Sequence, residues 1–266
     1  MGSLYSRSIG VLISKGEYIF PLDNDDLFFY EGIFDYILKI AKDFNFNIVG
    51  FRAFMIGNYS DSIQKMTDLY PYQYYDKNIT IYQPSLSTWM INRKGHYSLH
   101  DVTIWAKCIK STIYKEATKK LGKKNYSNFV SWAEDTIINF IIFNIAESFI
   151  FIHKYGIIHF HNRVTASYSM PNEIKLFGEI FLTNIIYDFS KNNNDKNYAV
   201  LSALSIQRRY KIYVFHNNSN LIFFKSILNK LIKSHYISNE MKNKIKIHFQ
   251  KFLNIHSIHF VSFQKH

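Results

Sequence analysis

Two clusters of carboxylates give this sequence its clearest chemical potential. The first is Asp23-Asn24-Asp25-Asp26, which follows the short apolar run Glu17-Tyr-Ile-Phe-Pro-Leu22. A run of that length, bounded by Gly16 and by acids, predicts a buried strand that delivers its C-terminal end to the acids. Open α/β sheets bind ligands just beyond such strand ends. Carboxylate oxygens are hard ligands suited to Mg²⁺ or Mn²⁺, and such a cation also holds the oxygens of a diphosphate. The competing account is an acidic loop that stabilises the next helix through its dipole. The second cluster is Glu134-Asp135, within Ser131-Trp-Ala-Glu134-Asp135. A Ser followed three residues later by Glu has the form of a capping box. That accounts for Glu134 but not for Asp135.

A third group is His159-Phe-His161-Asn162-Arg163, followed by Ser167 and Ser169. Either histidine could complete a metal shell or meet a phosphate, although a histidine in a strand is most often structural. Arg163 suits a diphosphate, because a guanidinium matches phosphate oxygens.

The elements needed to position these groups follow from periodicity. Leu4, Val11, Leu12 and their neighbours suit a short helix closed by Gly16. After the strand at Glu17–Leu22, the residues Phe29, Ile33, Ile37, Leu38 and Ala41 recur at helical spacing, and Asn47–Ile56 has the composition of a strand. Residues 57–90 predict a long loop or a small antiparallel excursion. Trp105–Leu121 predicts a helix stopped by Gly122. A second helix runs from the capping box to about Ser148, and Phe149–His161 predicts a strand. Beyond Pro171 the pattern is mostly helical. This grammar predicts an α/β layered fold with a mainly parallel sheet.

The clusters now acquire a common context. Ser6-Arg7-Ser8-Ile9-Gly10, then Lys15-Gly16-Glu17-Tyr18-Ile19, then Leu22-Asp23-Asn24-Asp25-Asp26 is similar to the central block of family-2 glycosyltransferases. That block runs Ala-Arg-Asn-x-Gly, a short helix, Gly-Glu-Tyr-Ile, then a strand ending in Asp-x-Asp. Trp132-Ala-Glu134-Asp135-Thr136 resembles the family's Glu-Asp motif, and Ile104-Trp105-Ala106-Lys107 resembles the Trp-x-Lys segment of a polysaccharide-type branch. The resemblance implies a GT-A, Rossmann-like fold and a metal-dependent, inverting transferase that uses Mn²⁺ or Mg²⁺. By it Asp23 and Asp25 approach the metal and the donor diphosphate, Arg7 faces the nucleotide, and Asp26 is a helix cap or a supporting group. Asp135 is the base, Glu134 orients the acceptor or its loop, and Trp105 lines the acceptor groove. His161 is assigned to the metal and Arg163 to the donor. The implied partners are a nucleotide-sugar donor and a glycan or lipid-linked acceptor.

The resemblance spans residues 3–170, taken as a partial GT-A domain, with residues 171–266 as a mostly helical extension. Family members begin with further strands that hold much of the nucleoside site. This chain begins at the equivalent of the third helix, so the strand at Glu17–Leu22 is expected at a sheet edge and base-specific nucleotide contacts are expected to be few. A catalytically inactive relative or partner subunit is the alternative.

Bulk properties narrow the classes. Hydrophobic residues make up 47% and aromatics 18%, which excludes a disordered chain. The net charge of +12 invites an anionic partner, but no nucleic-acid signature accompanies it. Solvated helix faces, a sugar diphosphate or peripheral contact with an anionic membrane surface absorb the charge. The single cysteine, Cys108, forms no internal disulfide, which fits a cytoplasmic, reducing compartment.

Overall fold

The most regular part of the structure is a pair of long strands, β3 (Ile48–Ile56) and β7 (Ser148–Phe160), which run parallel from Ile48↔Phe149 to Ile56↔Phe160. The structure is a computed structural model that describes residues 2–56, 67–68, 78–82, 103–128 and 130–160, with isolated positions 178, 181, 182, 185, 188 and 189. Both strands are rich in Ile and Phe, and Ile48, Val49, Phe149, Phe151 and Ile157 are fully buried, as expected where helices or further chain cover the sheet.

The register shifts on either side of Arg52, and the pair bends there. The bend divides the sheet into two halves. In the lower half β6 (Lys107–Lys110) pairs with β3 at Ile48–Gly50, β1 (Tyr18–Ile19) pairs with β6, and β5 (Ile79–Tyr82) pairs with the start of β7. In the upper half β4 (Thr67–Asp68) pairs with the end of β3, and β2 (Leu27–Phe28) pairs with β7 at Ile157–Ile158. Gly156 lies at this bend with the ring of Phe51 against its backbone, where no side chain would fit.

Among the described residues, helices α1 (Ser3–Ile13), α2 (Ile33–Asp43), α3 (Ser111–Leu121), the short α4 (Lys123–Tyr126) and α5 (Glu134–Ile145) flank the sheet. Helix α2 buries Ile33, Ile37 and Ala41 along one stripe, half-buries Phe34, Leu38 and Ile40 beside it, and exposes its charged residues. Tyr18 anchors its C-terminal end by donating a hydrogen bond to the Ala41 carbonyl at 3.0 Å. Helix α5 buries eight consecutive residues, Thr136–Phe143, so it is a core helix with its charged residues confined to its N-terminus. Gly122 closes α3 with φ +81°, a conformation that favours glycine.

The fold is therefore α/β with a mixed, curled sheet, which corrects the expectation of a mainly parallel one. Only β3–β7 is parallel among the described pairings; the other five are antiparallel. Helix-strand alternation gives parallel neighbours only when a helix carries the chain back to the same end of the sheet. No described helix lies between β3 and β6, and β6 returns in the opposite direction. Three local expectations change as well. The strand at Glu17–Leu22 shortens to Tyr18–Ile19, at the end of the strand order. Helix α1 ends at Ile13, with Ser14 as its cap, before Gly16 is reached. Residues 107–110 form a strand, so α3 begins at Ser111 rather than near Trp105. Phe29 hydrogen-bonds Gly156 beside β2, which delays α2 until Ile33.

The chain divides into two units, Met1–Ile185 and Ile186–His266. The first holds all the elements above, and its isolated positions at 178–185 are helical. In the second only Asp188 and Phe189 are described, and both are helical. No described helix is long and apolar enough to cross a membrane.

Candidate functional site

Three segments far apart in the chain meet on the guanidinium of Arg7. Helix α1 presents Arg7 one turn after Leu4, which is buried, so the arginine leaves the helix beside the core. One side of the guanidinium pairs with Asp23. The other pairs with Asp135, and Glu134 lies 3.6 Å from the same nitrogen. All four side chains are 15–28% exposed, so they line an accessible surface rather than a sealed core. The acidic turn after β1 and the N-terminus of α5 therefore meet on one side chain.

The turn is built by its own backbone. The Asp26 N–H donates to the Asp23 carbonyl at 3.1 Å, which places Asn24 and Asp25 at the tip. Asp26 points the other way, and its side chain is fully buried. It does not cap a helix. Its oxygens face Nδ1 of His159 at 2.9 and 3.0 Å, and the Phe160 N–H donates to it at 3.2 Å. Burial pushes the Asp26 carboxyl up, outweighing those hydrogen bonds. Burial alone would lower His159, but the hydrogen bond and charge of Asp26, with Asp23 and Asp25 nearby, hold it above its ordinary value. The imidazole stacks on Trp105 with ring centroids 5.0 Å apart and planes within 8°. Trp105 is 6% exposed, and one face of its ring is taken by His159. Below the cleft Tyr114 is buried, and burial pushes its hydroxyl up, moderated by Arg7 and reinforced by Asp23.

The start of α5 differs from a capping box. Its cap position is Ala133, with φ +60° and no side-chain cap. The two groups that would have formed the box are engaged by α1 instead: the Ser3 N–H donates to the Ser131 hydroxyl at 3.3 Å, and the Ser3 hydroxyl donates to Glu134 at 2.8 Å. Asp135 receives the Ile104 N–H at 3.2 Å on its second oxygen. Both acids stand in the first turn of α5, where the helix dipole favours negative charge. Left-handed Ala133 is a costly conformation for a residue with a Cβ, and it is matched by Ala106 at φ +57° beside Trp105.

Asp23, Glu134 and Asp135 face the Arg7 guanidinium, and Asp25 lies near enough to His159 for its charge to act there. Among the described residues no group of three or more His, Cys, Asp or Glu side chains forms a ready metal shell. Asp23 and Asp25 are the type of ligand that a divalent cation of the Mg²⁺ kind takes, one or two carboxylates with phosphate and water oxygens completing the shell. His161 and Arg163 lie outside the described residues. Asp26 as the anchor of His159, Ser3 as a partner of Glu134, and Tyr114 beneath Arg7 escape sequence reasoning, since each depends on contacts between distant segments. One signal was available for Asp26: it is the acid that adjoins the apolar Leu27-Phe28-Phe29.

No protein-family model matches this chain, and no curated protein matches it in sequence.

Proposed function

We propose that the protein is a metal-dependent, inverting glycosyltransferase of the GT-A type that moves a sugar from a nucleotide-sugar to a glycan or lipid-linked acceptor. One observation carries this: Arg7 joins the acidic turn at Asp23 to the Glu134-Asp135 pair, although more than a hundred residues separate them. Those are the sequence segments that resemble the family's motifs, and their meeting in one cleft is what a shared substrate demands.

In the proposed reaction the acceptor hydroxyl attacks the anomeric carbon of the donor. Its oxygen forms the new glycosidic bond as the bond from that carbon to the diphosphate breaks. The hydroxyl proton passes to Asp135. Glu134, held by Ser3, orients the acceptor side. Arg7 meets the diphosphate oxygens as charge develops on the leaving group. Asp23 and Asp25, with His161, would hold Mn²⁺ or Mg²⁺, which when bound neutralises the leaving diphosphate. Arg163 would meet the same diphosphate, and Trp105 would back the acceptor groove. The guanidinium neutralises Asp135, so in the proposed reaction the donor draws Arg7 toward the diphosphate and releases the carboxylate.

The test is release of nucleoside diphosphate from a panel of nucleotide-sugars in Mn²⁺, with and without glycan acceptors. The wild type should release it, and Asp135→Asn should lose turnover at least about a hundredfold while keeping donor affinity. Release that is equal in wild type and Asp135→Asn would remove Asp135 as the base. Donor binding without any release would favour an inactive relative instead.

A further inference from the structure

Behind Asp135 lies a buried polar group that the proposed chemistry does not use. Lys107, on β6, and Asn139, on α5, are both 0% exposed. Both donate to the same acceptor, the main-chain carbonyl of Thr103: Asn139 Nδ2 at 2.7 Å, and Lys107 through Nζ. Asn139 Oδ1 and Thr103 Oγ1 are buried without a hydrogen-bond partner. Burying polar atoms unsatisfied costs about 1–3 kcal/mol each.

Its geometry connects it to Asp135. The Thr103 carbonyl and the Ile104 N–H belong to one peptide unit, and in a trans peptide they point in opposite directions. The carbonyl faces Asn139 and Lys107, while the N–H donates to Asp135 Oδ2 at 3.2 Å. Asp135 and Asn139 are four residues apart on α5, hence on the same face one turn apart. The 103–104 peptide thus bridges two successive turns, bonded at one end to each. Donors on a carbonyl also polarise its peptide and strengthen the N–H on the other side.

We infer that Asn139 and Lys107 are positioning residues for Asp135. They clamp the Thr103 carbonyl, and the rigid peptide transmits that constraint to the hydrogen bond that orients the carboxylate. Asp135 is named the base only by the function proposed above; the clamp itself rests on the geometry. The arrangement leaves one oxygen of Asp135 toward Arg7 and the cleft, and fixes the other from behind.

The test is amide hydrogen exchange on the full chain, comparing wild type with Asn139→Leu and Lys107→Met, which retain volume but remove the donors. Protection of the Ile104 amide should fall about tenfold or more in each, while Ile109 and Ile141 change less than about twofold. Lys107→Gln, which keeps a donor but not the charge, should restore part of the loss. With an active donor, Asn139→Leu should lower kcat and leave the donor KM unchanged. Ile104 protection equal to wild type in the folded variants would overturn the inference, as would loss at Ile104 only in step with the whole unit. If the wild type transfers no sugar, the functional proposal falls, and the exchange result still decides the clamp.

Discussion

At the scale of single residues, Arg7 is the group on which most depends. It neutralises Asp23 and Asp135 and approaches Glu134, all from partly exposed positions where water tempers each pair. Arg7→Met should leave these acids facing one another, lowering stability by about 1–2 kcal/mol in urea denaturation and weakening nucleoside diphosphate binding together. Unchanged stability and binding would remove Arg7 from the site. Cys108 behaves in the opposite way. It is fully buried in β6, and burial pushes its thiol well up. A thiol with a raised folded value stays protonated, so its contribution to stability holds at neutral pH and declines only as pH rises past the ordinary thiol value, about 8.5. At pH 8 an aromatic disulfide reagent should therefore react with it only at the rate of unfolding. Rapid labelling of the native protein would contradict that placement.

At the scale of elements, the bends and turns are as informative as the strands. Gly156→Ala should push a methyl group into the Phe51 ring where β3 and β7 bend, at a cost of about 1–3 kcal/mol in thermal or urea unfolding. Ala133 is held left-handed ahead of Glu134-Asp135. Ala133→Gly should be neutral or slightly stabilising, whereas Ala133→Val should cost about 1–2 kcal/mol. Equal effects from the two would mean that the strain is absent. The elements also mark what was legible in the sequence. Helix α2 was visible because Ile33, Ile37 and Ala41 keep helical spacing on a half-buried face. Strands β3 and β7 were visible as apolar runs. Strand β6 was not, because Lys107 and Lys110 look like helix surface, and a lysine as deeply buried as Lys107 is bound through contacts that local pattern does not carry. The capping box failed for a similar reason: Ser3, from another helix, took both of its groups. The acids of the cleft were legible as residue types, while their convergence on Arg7 and the clamp through the 103–104 peptide belong to the tertiary structure alone.

At the scale of the molecule, a chain of net charge +12 gathers three carboxylates, Asp23, Glu134 and Asp135, around the Arg7 guanidinium. Under the proposed function the acidic turn holds a divalent cation and, through it, the diphosphate. The mixed, curled sheet supplies the geometry: β1 and β6 in its lower half bring the acidic turn and the 103–104 peptide to one side, and α5 meets them there. The central claim is that this cleft binds a nucleoside diphosphate through a divalent cation. Calorimetry with UDP and GDP, with and without Mn²⁺, tests it most directly. The account predicts Mn²⁺-dependent binding, weakened about tenfold or more by Asp25→Asn and little changed by Asp135→Asn. Absence of binding in Mn²⁺, or binding indifferent to both Mn²⁺ and Asp25, would contradict it.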